Sequence, residues 1–281
     1  MIAISDYRKP SKLKEALELL SSGDYSPIAG GTDIIPQLRS GKPKKLLDIG
    51  LLELAYIKED GEYIEIGGGA THTQINLDKS VNKYLPILSK ATGLVGSWQI
   101  RNRGTIGGNI VNASPCADSA PALLIYDAEI TLVSLKGKRK ISLNDFIEGP
   151  YLTGIRPDEL LQSIRCVKAS EGAGYSYIKL GRRQAVNISR MTLAATIARE
   201  KNGIVKQAAV AGGSIFPKPS RIPEIEQMLT GNKISNELIG DAAKLAAELM
   251  IKESGERWST PYKEPVLIGL MERALREAAG L

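Results

Sequence analysis

One histidine and two cysteines in 281 residues leave little with which to hold a metal. His72 stands alone, which excludes a multi-histidine centre. Cys116 and Cys166 cannot build an iron–sulfur cluster, and no Cys-x-x-Cys pair exists for structural zinc. Both read as buried thiols, and no metal site is expected. No apolar run approaches the roughly 18 residues that mark a membrane span. Met1 to Pro10 mixes charge and polarity where a signal peptide would be apolar, so a cytoplasmic protein is expected. Aromatic residues make up only 5%, and the basic residues behind the net charge of +6 are scattered. A nucleic-acid surface would need a basic stripe with interleaved aromatics, so that class is set aside. The charge fits a lysine-rich surface, an acidic partner or an anionic cofactor. Repeats and low-complexity stretches are also missing.

What the chain does have is glycine in two clusters. One reads Ile28-Ala29-Gly30-Gly31-Thr32-Asp33, followed by Ile34 and Ile35. The other reads Gly104-Thr105-Ile106-Gly107-Gly108-Asn109. Neither is a Walker loop or a Rossmann Gly-x-Gly-x-x-Gly. Glycine lets the backbone turn sharply and present its N–H groups to an anion. Two such loops can grip one dinucleotide from two sides. Gly67-Gly68-Gly69 reads as a packing turn. Asp118 has two readings: a buried carboxylate that hydrogen-bonds a ribose, or the N-cap of a helix opening at Ser119. Lys179, Arg182 and Arg183, taken alone, read as a solvated strand end.

The periodicity predicts a helix over Ser11 to Leu20, capped by Ser11 and stopped by Gly23. A strand over Pro27 to Ala29 leads into the first glycine cluster, with a short helix behind it that tolerates Pro36. Further strands are expected at Lys45 to Ile49 and Glu159 to Val167. Hairpins are expected over Tyr56 to Gly67 and Glu129 to Leu143. Helices are expected at Tyr84 to Thr92 and Ser119 to Tyr126. Past a loop at Ser170 to Gly174, Tyr175 to Leu180 alternates as a strand. Met191 to Arg199 and Ile204 to Gly212 flank Asn202-Gly203, a hairpin signal that outweighs the helical look of Leu193-Ala194-Ala195. Helices at Arg221 to Leu229, Asn236 to Lys252 and Lys263 to Ala279 close the chain.

The segment Gly96 to Ala128 closely resembles the FAD-binding medium subunit of the molybdenum hydroxylases. That family includes carbon monoxide dehydrogenase, aldehyde and glyceraldehyde oxidoreductases, nicotinate dehydrogenase and xanthine dehydrogenase. The resemblance rests on Ile100 to Asn109, Asn112 to Pro115 and Asp118 to Leu124, on Ala29 to Asp33, and on Tyr177 to Arg183, all in family order.

It implies an α+β fold. A two-subdomain FAD-binding α/β region (PCMH/VAO-like) would span residues 1–170, divided at about 1–53 and 54–170. A three-stranded antiparallel sheet with a helical bundle would span 171–281. By the same resemblance, Ile28 to Ile35 and Thr105, Ile106, Gly107, Gly108 and Asn109 would clamp the pyrophosphate. Asp118 would bond the nucleotide side, Leu161 and Lys179 would lie against FAD, and Ile100 and Arg101 would stand near the flavin. His72 would be a structural residue close by. No catalytic side chain is implied. The implied function is electron transfer within a heterotrimer, assembled as a dimer of heterotrimers. A small subunit with [2Fe-2S] clusters would supply electrons, and a large molybdopterin subunit would oxidise the substrate. Carbon monoxide, an aldehyde, a purine or nicotinate all fit as substrate; a quinone, NAD or dioxygen fits as acceptor. The rival readings are a stand-alone FAD-dependent reductase or oxidase of the same fold, and a scaffold subunit without cofactor.

Overall fold

The computed structural model describes residues 4–38, 44–183 and 186–281. The chain opens with β1 (Ile4–Arg8), α1 (Leu13–Ser21), β2 (Tyr25–Ile28), α2 (Ile34–Gln37) and β3 (Lys44–Asp48). These strands form a parallel sheet of order β1-β3-β2. Parallel neighbours need a crossover, and α1 supplies the first. Its apolar face, Ala16, Leu17 and Leu20, packs on Leu47, Leu52 and Leu54. Lys12, in extended conformation, holds the N-cap position of α1, so the Ser11 cap is not formed. β1 has no buried side chain and therefore left no apolar signal to read.

A second unit follows: β4 (Ile57–Asp60), β5 (Tyr63–Gly67), α3 (His72–Leu77), α4 (Lys79–Tyr84), α5 (Pro86–Gly93), α6 (Trp98–Arg103), α7 (Ile106–Asn112), α8 (Ser119–Leu124), β6 (Glu129–Ser134), β7 (Gly137–Ser142), α9 (Leu143–Phe146), β8 (Ile147–Gly149), β9 (Leu152–Thr153) and β10 (Leu160–Val167). Its antiparallel sheet runs β4-β5-β10-β6-β7, with β8 and β9 paired apart. Ile64 and Ile66 of β5, Ile130 and Leu132 of β6, and Ile164 and Cys166 of β10 form the core with Ile75, Leu88, Ile110 and Leu123 from the helices. Cys166 is buried as expected, whereas Cys116 is half-exposed. The second glycine cluster is not a loop. Gly107 and Gly108 form the first turn of α7, with Thr105 accepting from the Gly108 N–H at 3.1 Å.

The third unit has three long strands, β11 (Gly174–Leu180), β12 (Met191–Arg199) and β13 (Val205–Gly213), with a two-residue β14 (Ser220–Arg221) at the edge. It is antiparallel in that order. The β12–β13 hairpin turns at Asn202-Gly203, where Gly203 takes φ +86°. Helices α10 (Pro223–Leu229), α11 (Asn236–Ser254) and α12 (Thr260–Ala279) cover one face. Alternation splits the sheet cleanly. Leu193, Ala195, Ile197 and Val210 join the helices in one core. Tyr177, Ala194, Ala209 and Ala211 face the other way, into the core of the second unit. Small residues there allow two backbone layers to approach closely. Ala194→Leu is therefore expected to cost about 1–3 kcal/mol by overpacking. A denaturant midpoint unchanged from wild type would show that this face has room to spare.

Candidate functional site

A cleft of about 710 Å³ opens where the three units meet. Pro27 and Ile28 to Ile34 line one wall; Gly104, Thr105 and Gly107 to Asn109 line another. Ile100, Asp118 and Leu161 complete the predicted set that the fold brings together. Ile35, Arg101, Ile106 and Lys179 do not line it. Ile106 points into the core with no exposure. Arg101 turns back onto the Val95 carbonyl at 2.9 Å and over the Trp98 ring. Residues that sequence reasoning did not assign to the cofactor also line the cleft, among them Gly68, Val95, Gly96, Glu159, Leu160 and Ile188. They arrive from separate strands and turns, and no local pattern marks them. Glu159 is held by Arg139 at 2.6 and 2.8 Å and by the Arg156 N–H at 2.8 Å, and the Arg139 guanidinium keeps its carboxyl below the usual range.

The glycines bring the walls together. A side chain at Gly30 would strike the Arg103 carbonyl. A Cβ at Gly107 would lie 2.6 Å from the Gly68 oxygen, and one at Gly68 would strike the Leu161 carbonyl. Backbone bonds fix the same contacts: His72 N–H to Gly104 O at 3.1 Å, Ile106 N–H to Ala70 O at 2.9 Å, and Gly107 N–H to Gly68 O at 3.0 Å. Gly67-Gly68-Gly69 is thus a packing turn, and it also forms part of the cleft floor. The amides of Gly107 and Gly108 are used inside the protein. Those of Gly30, Gly31, Thr32 and Asp33 have no partner among the described residues. The two glycine clusters are therefore not equivalent: the first keeps N–H groups free of protein partners, and the second supplies shape. Asn112 Nδ2 donates to Asp33 Oδ1 at 3.2 Å across the gap between them.

Asp118 does not cap α8; its side chain makes no capping bond. Its carboxylate takes Lys179 Nζ at 2.6 Å and the Ser189 hydroxyl, and Tyr177 donates to its carbonyl at 2.9 Å. Lys179 is no solvated strand end: both side chains of the pair are 7% exposed, and its Nζ also donates to Leu94 O at 2.8 Å. Burial pushes the Asp118 carboxyl up, while the ammonium and the hydroxyl pull it back. Lys179 stands behind Asp118 as seen from the cleft, bonded to its carboxylate.

A pocket within the usual size range for small ligands, with unpartnered amides among its lining residues, is that of a ligand-binding α+β protein. Residues 3–166 match the family described as FAD binding domain in molybdopterin dehydrogenase, and residues 176–278 match CO dehydrogenase flavoprotein C-terminal domain. The glyceraldehyde dehydrogenase medium chain of Sulfolobus acidocaldarius is 33% identical over 97% of this chain and 98% of its own. The carbon monoxide dehydrogenase medium chain of Afipia carboxidovorans is 30% identical over 97% and 96%. The structure of carbon monoxide dehydrogenase from Hydrogenophaga pseudoflava superposes with a TM-score of 0.91 at 28% identity, covering 100% of this chain and 99% of that one. The chain belongs to the FAD-binding medium subunits of the molybdenum hydroxylases and is an oxidoreductase subunit whose cofactor is FAD. The free amides of Gly30 to Asp33 fit that anionic dinucleotide.

Lys179→Met is expected to destabilise the fold by about 3–5 kcal/mol near neutral pH, since it leaves a buried, charged carboxylate without its counter-ion and with only the Ser189 hydroxyl. Without the ammonium, the folded pKa of Asp118 stands above its unfolded value. Stability is then fully present below the unfolded pKa and lost as pH rises through the folded one. Unfolding midpoints at about pH 5 and about pH 8 check this. An equal deficit at both would mean that the buried charge is not the cause.

Proposed function

We propose that this chain is the FAD-carrying electron-transfer subunit of a heterotrimeric molybdenum hydroxylase. Electrons would arrive from the [2Fe-2S] clusters of a small subunit, after a large molybdopterin subunit has oxidised the substrate, and leave to an external acceptor. The observation that carries this reading is the cleft wall of unpartnered amides from Gly30 to Asp33. Relatives named medium chain or medium subunit support partners of two sizes. No group of three His, Cys, Asp or Glu side chains among the described residues is placed to hold a metal ion. No helix among them is long and apolar enough to cross a membrane. A dimer of such heterotrimers is the assembly the reading carries with it.

Bound FAD supplies the capacity to take up and release electrons singly or in pairs. The protein's part is to bind and orient it. In this reading the amides of Gly30 to Asp33 hold the diphosphate. Thr105, Gly108 and Asn109 shape the facing wall. Ile28, Ile34, Ile100 and Leu161 exclude water, and Asp118, fixed by Lys179, bonds the nucleotide. The proposed domains are 1–170, with subdomains at about 1–53 and 54–170, and 171–281; a parallel sheet over 4–48, an antiparallel one over 57–167 and a separate sheet from 174 support this reading. Substrate does not track with likeness. Relatives named for glyceraldehyde, carbon monoxide and nicotinate stand at 33%, 30% and 30% identity.

The purified chain, with any partners it brings, should show a flavin absorption spectrum and release FAD on denaturation. Gly108→Val sharpens the test. A Cβ at Gly108 meets only Thr105 Oγ1, at 3.0 Å, so this variant is expected to keep its fold and lose FAD. Gly107→Val, by contrast, collides with the Gly68 backbone and should lower the melting temperature. Full FAD content in Gly108→Val would remove this wall from the site.

A further inference from the structure

His72 lines the cleft yet is only 2% exposed. Its Nδ1 has no hydrogen-bond partner among the described residues. Its backbone N–H is tied to Gly104 O at 3.1 Å, and it opens α3 directly behind the capping box of Thr71 and Gln74. The ring is therefore anchored at its base. A Cβ on Gly104 would sit 3.3 Å from His72 Cδ2 and 3.5 Å from Thr32 Oγ1, so the imidazole and the first glycine cluster share one corner of the cleft. The ring makes no side-chain hydrogen bond among the described residues; Nδ1 is sealed inside, while Nε2, bonded to Cδ2, lies on the edge that faces Gly104 and Thr32, where a ligand can complete it.

We propose that His72 is a recognition residue for the cofactor, its imidazole hydrogen-bonding an anionic oxygen of the diphosphate held at Gly30 to Asp33. This rests on the FAD reading above. Without ligand the ring is neutral at physiological pH: burial first, and then the Arg101 guanidinium on α6, bring its pKa down to about 4. Thr71, Thr32, Gly104 and Thr105, contributed by the other segments at this corner, carry no charge. A phosphate oxygen within hydrogen-bond reach favours the protonated ring and moves that value up.

The test uses the full chain with the partners that co-purify, and measures FAD retained after dialysis. His72→Phe is expected to weaken FAD binding at least about tenfold. His72→Asn and His72→Gln place an amide near Nδ1 and Nε2 respectively, and one of them is expected to recover most of the affinity. Equal loss in all three would assign His72 to packing and overturn the proposal. Retention in His72→Phe at the wild-type level would also overturn it, while leaving the FAD reading intact. A wild-type protein that takes up no FAD would sink both. With only this chain ¹⁵N-labelled, its single histidine gives one imidazole, with two ring-nitrogen signals, in ¹⁵N spectra of the complex. Its titration midpoint should rise by about one pH unit or more when FAD is added. A midpoint that stays or falls contradicts the bond. If His72→Phe does not fold, the Gln and Asn variants and this titration decide.

Discussion

Everything at the cleft depends on three places where one backbone lies directly against another. Gly30 rests on the Arg103 carbonyl, Gly107 on Gly68, and Gly68 on the Leu161 carbonyl. Each contact is closer than any Cβ permits, so each position demands glycine for lack of bulk rather than for a left-handed φ. Gly31, with φ +74°, is the member of the first cluster that needs the conformational freedom. The sequence alone suggested that the glycines of the two clusters serve an anion and that Gly68 belongs to a packing turn. In the fold, Gly30 and Gly107 also serve packing, holding segments of the first and second units at a common depth. The residue type was read correctly, but its physical role was divided between packing and ligand approach.

The third unit is attached by polar groups buried where the layers meet. Lys179 and Ser189 reach Asp118, and Tyr177 reaches the carbonyl of the same residue. A buried pair of this kind gives little net stability, because desolvation offsets most of the attraction. What it does give is register: the carboxylate facing the cleft has one position, set by a strand far away in sequence. Arg221 repeats the device at the edge, bonding Asp127 at 2.8 Å while held by Glu226. Between these groups the sheet packs through the Tyr177 ring and the alanines Ala194, Ala209 and Ala211, which carry no directional preference of their own.

Legibility followed the strength of local signals. The β12–β13 hairpin was readable because Asn202-Gly203 dictates a turn whatever Leu193-Ala194-Ala195 prefers. Helices α11 and α12 were readable because long apolar stripes repeat. By contrast, α3, α4, α6 and α7 are each less than two full turns long and start at Thr71, Asp78, Ser97 and Thr105, caps that look like any polar loop residue. Two glycines opening α7 run against helix propensity by roughly 1 kcal/mol each, and only the packing on Gly68 explains them. The Asp118–Lys179 pair spans 61 positions and was invisible without the fold. Family resemblance named both residues; the fold adds that they bond each other.

The small parallel sheet presents the free amides but has the thinnest support. Its core is Ala16, Leu17, Leu20, Leu47, Leu52 and Leu54, completed by Val133 and Leu160 borrowed from the second unit. Beyond that, its hold on the rest near the cleft is the contact of Gly30 with Arg103 and the bond from Asn112 to Asp33. A ligand whose charge sits on those amides and whose remainder lies on the second unit bridges the two. Binding to the folded state alone stabilises it by mass action, and the gain falls on the element least able to hold its position unaided. Cofactor site and structural weak point thus coincide. The unpartnered N–H groups of Gly30 to Asp33, at residues open to water in the empty cleft, cost the fold little, and the ligand adds its stabilisation when it replaces that water.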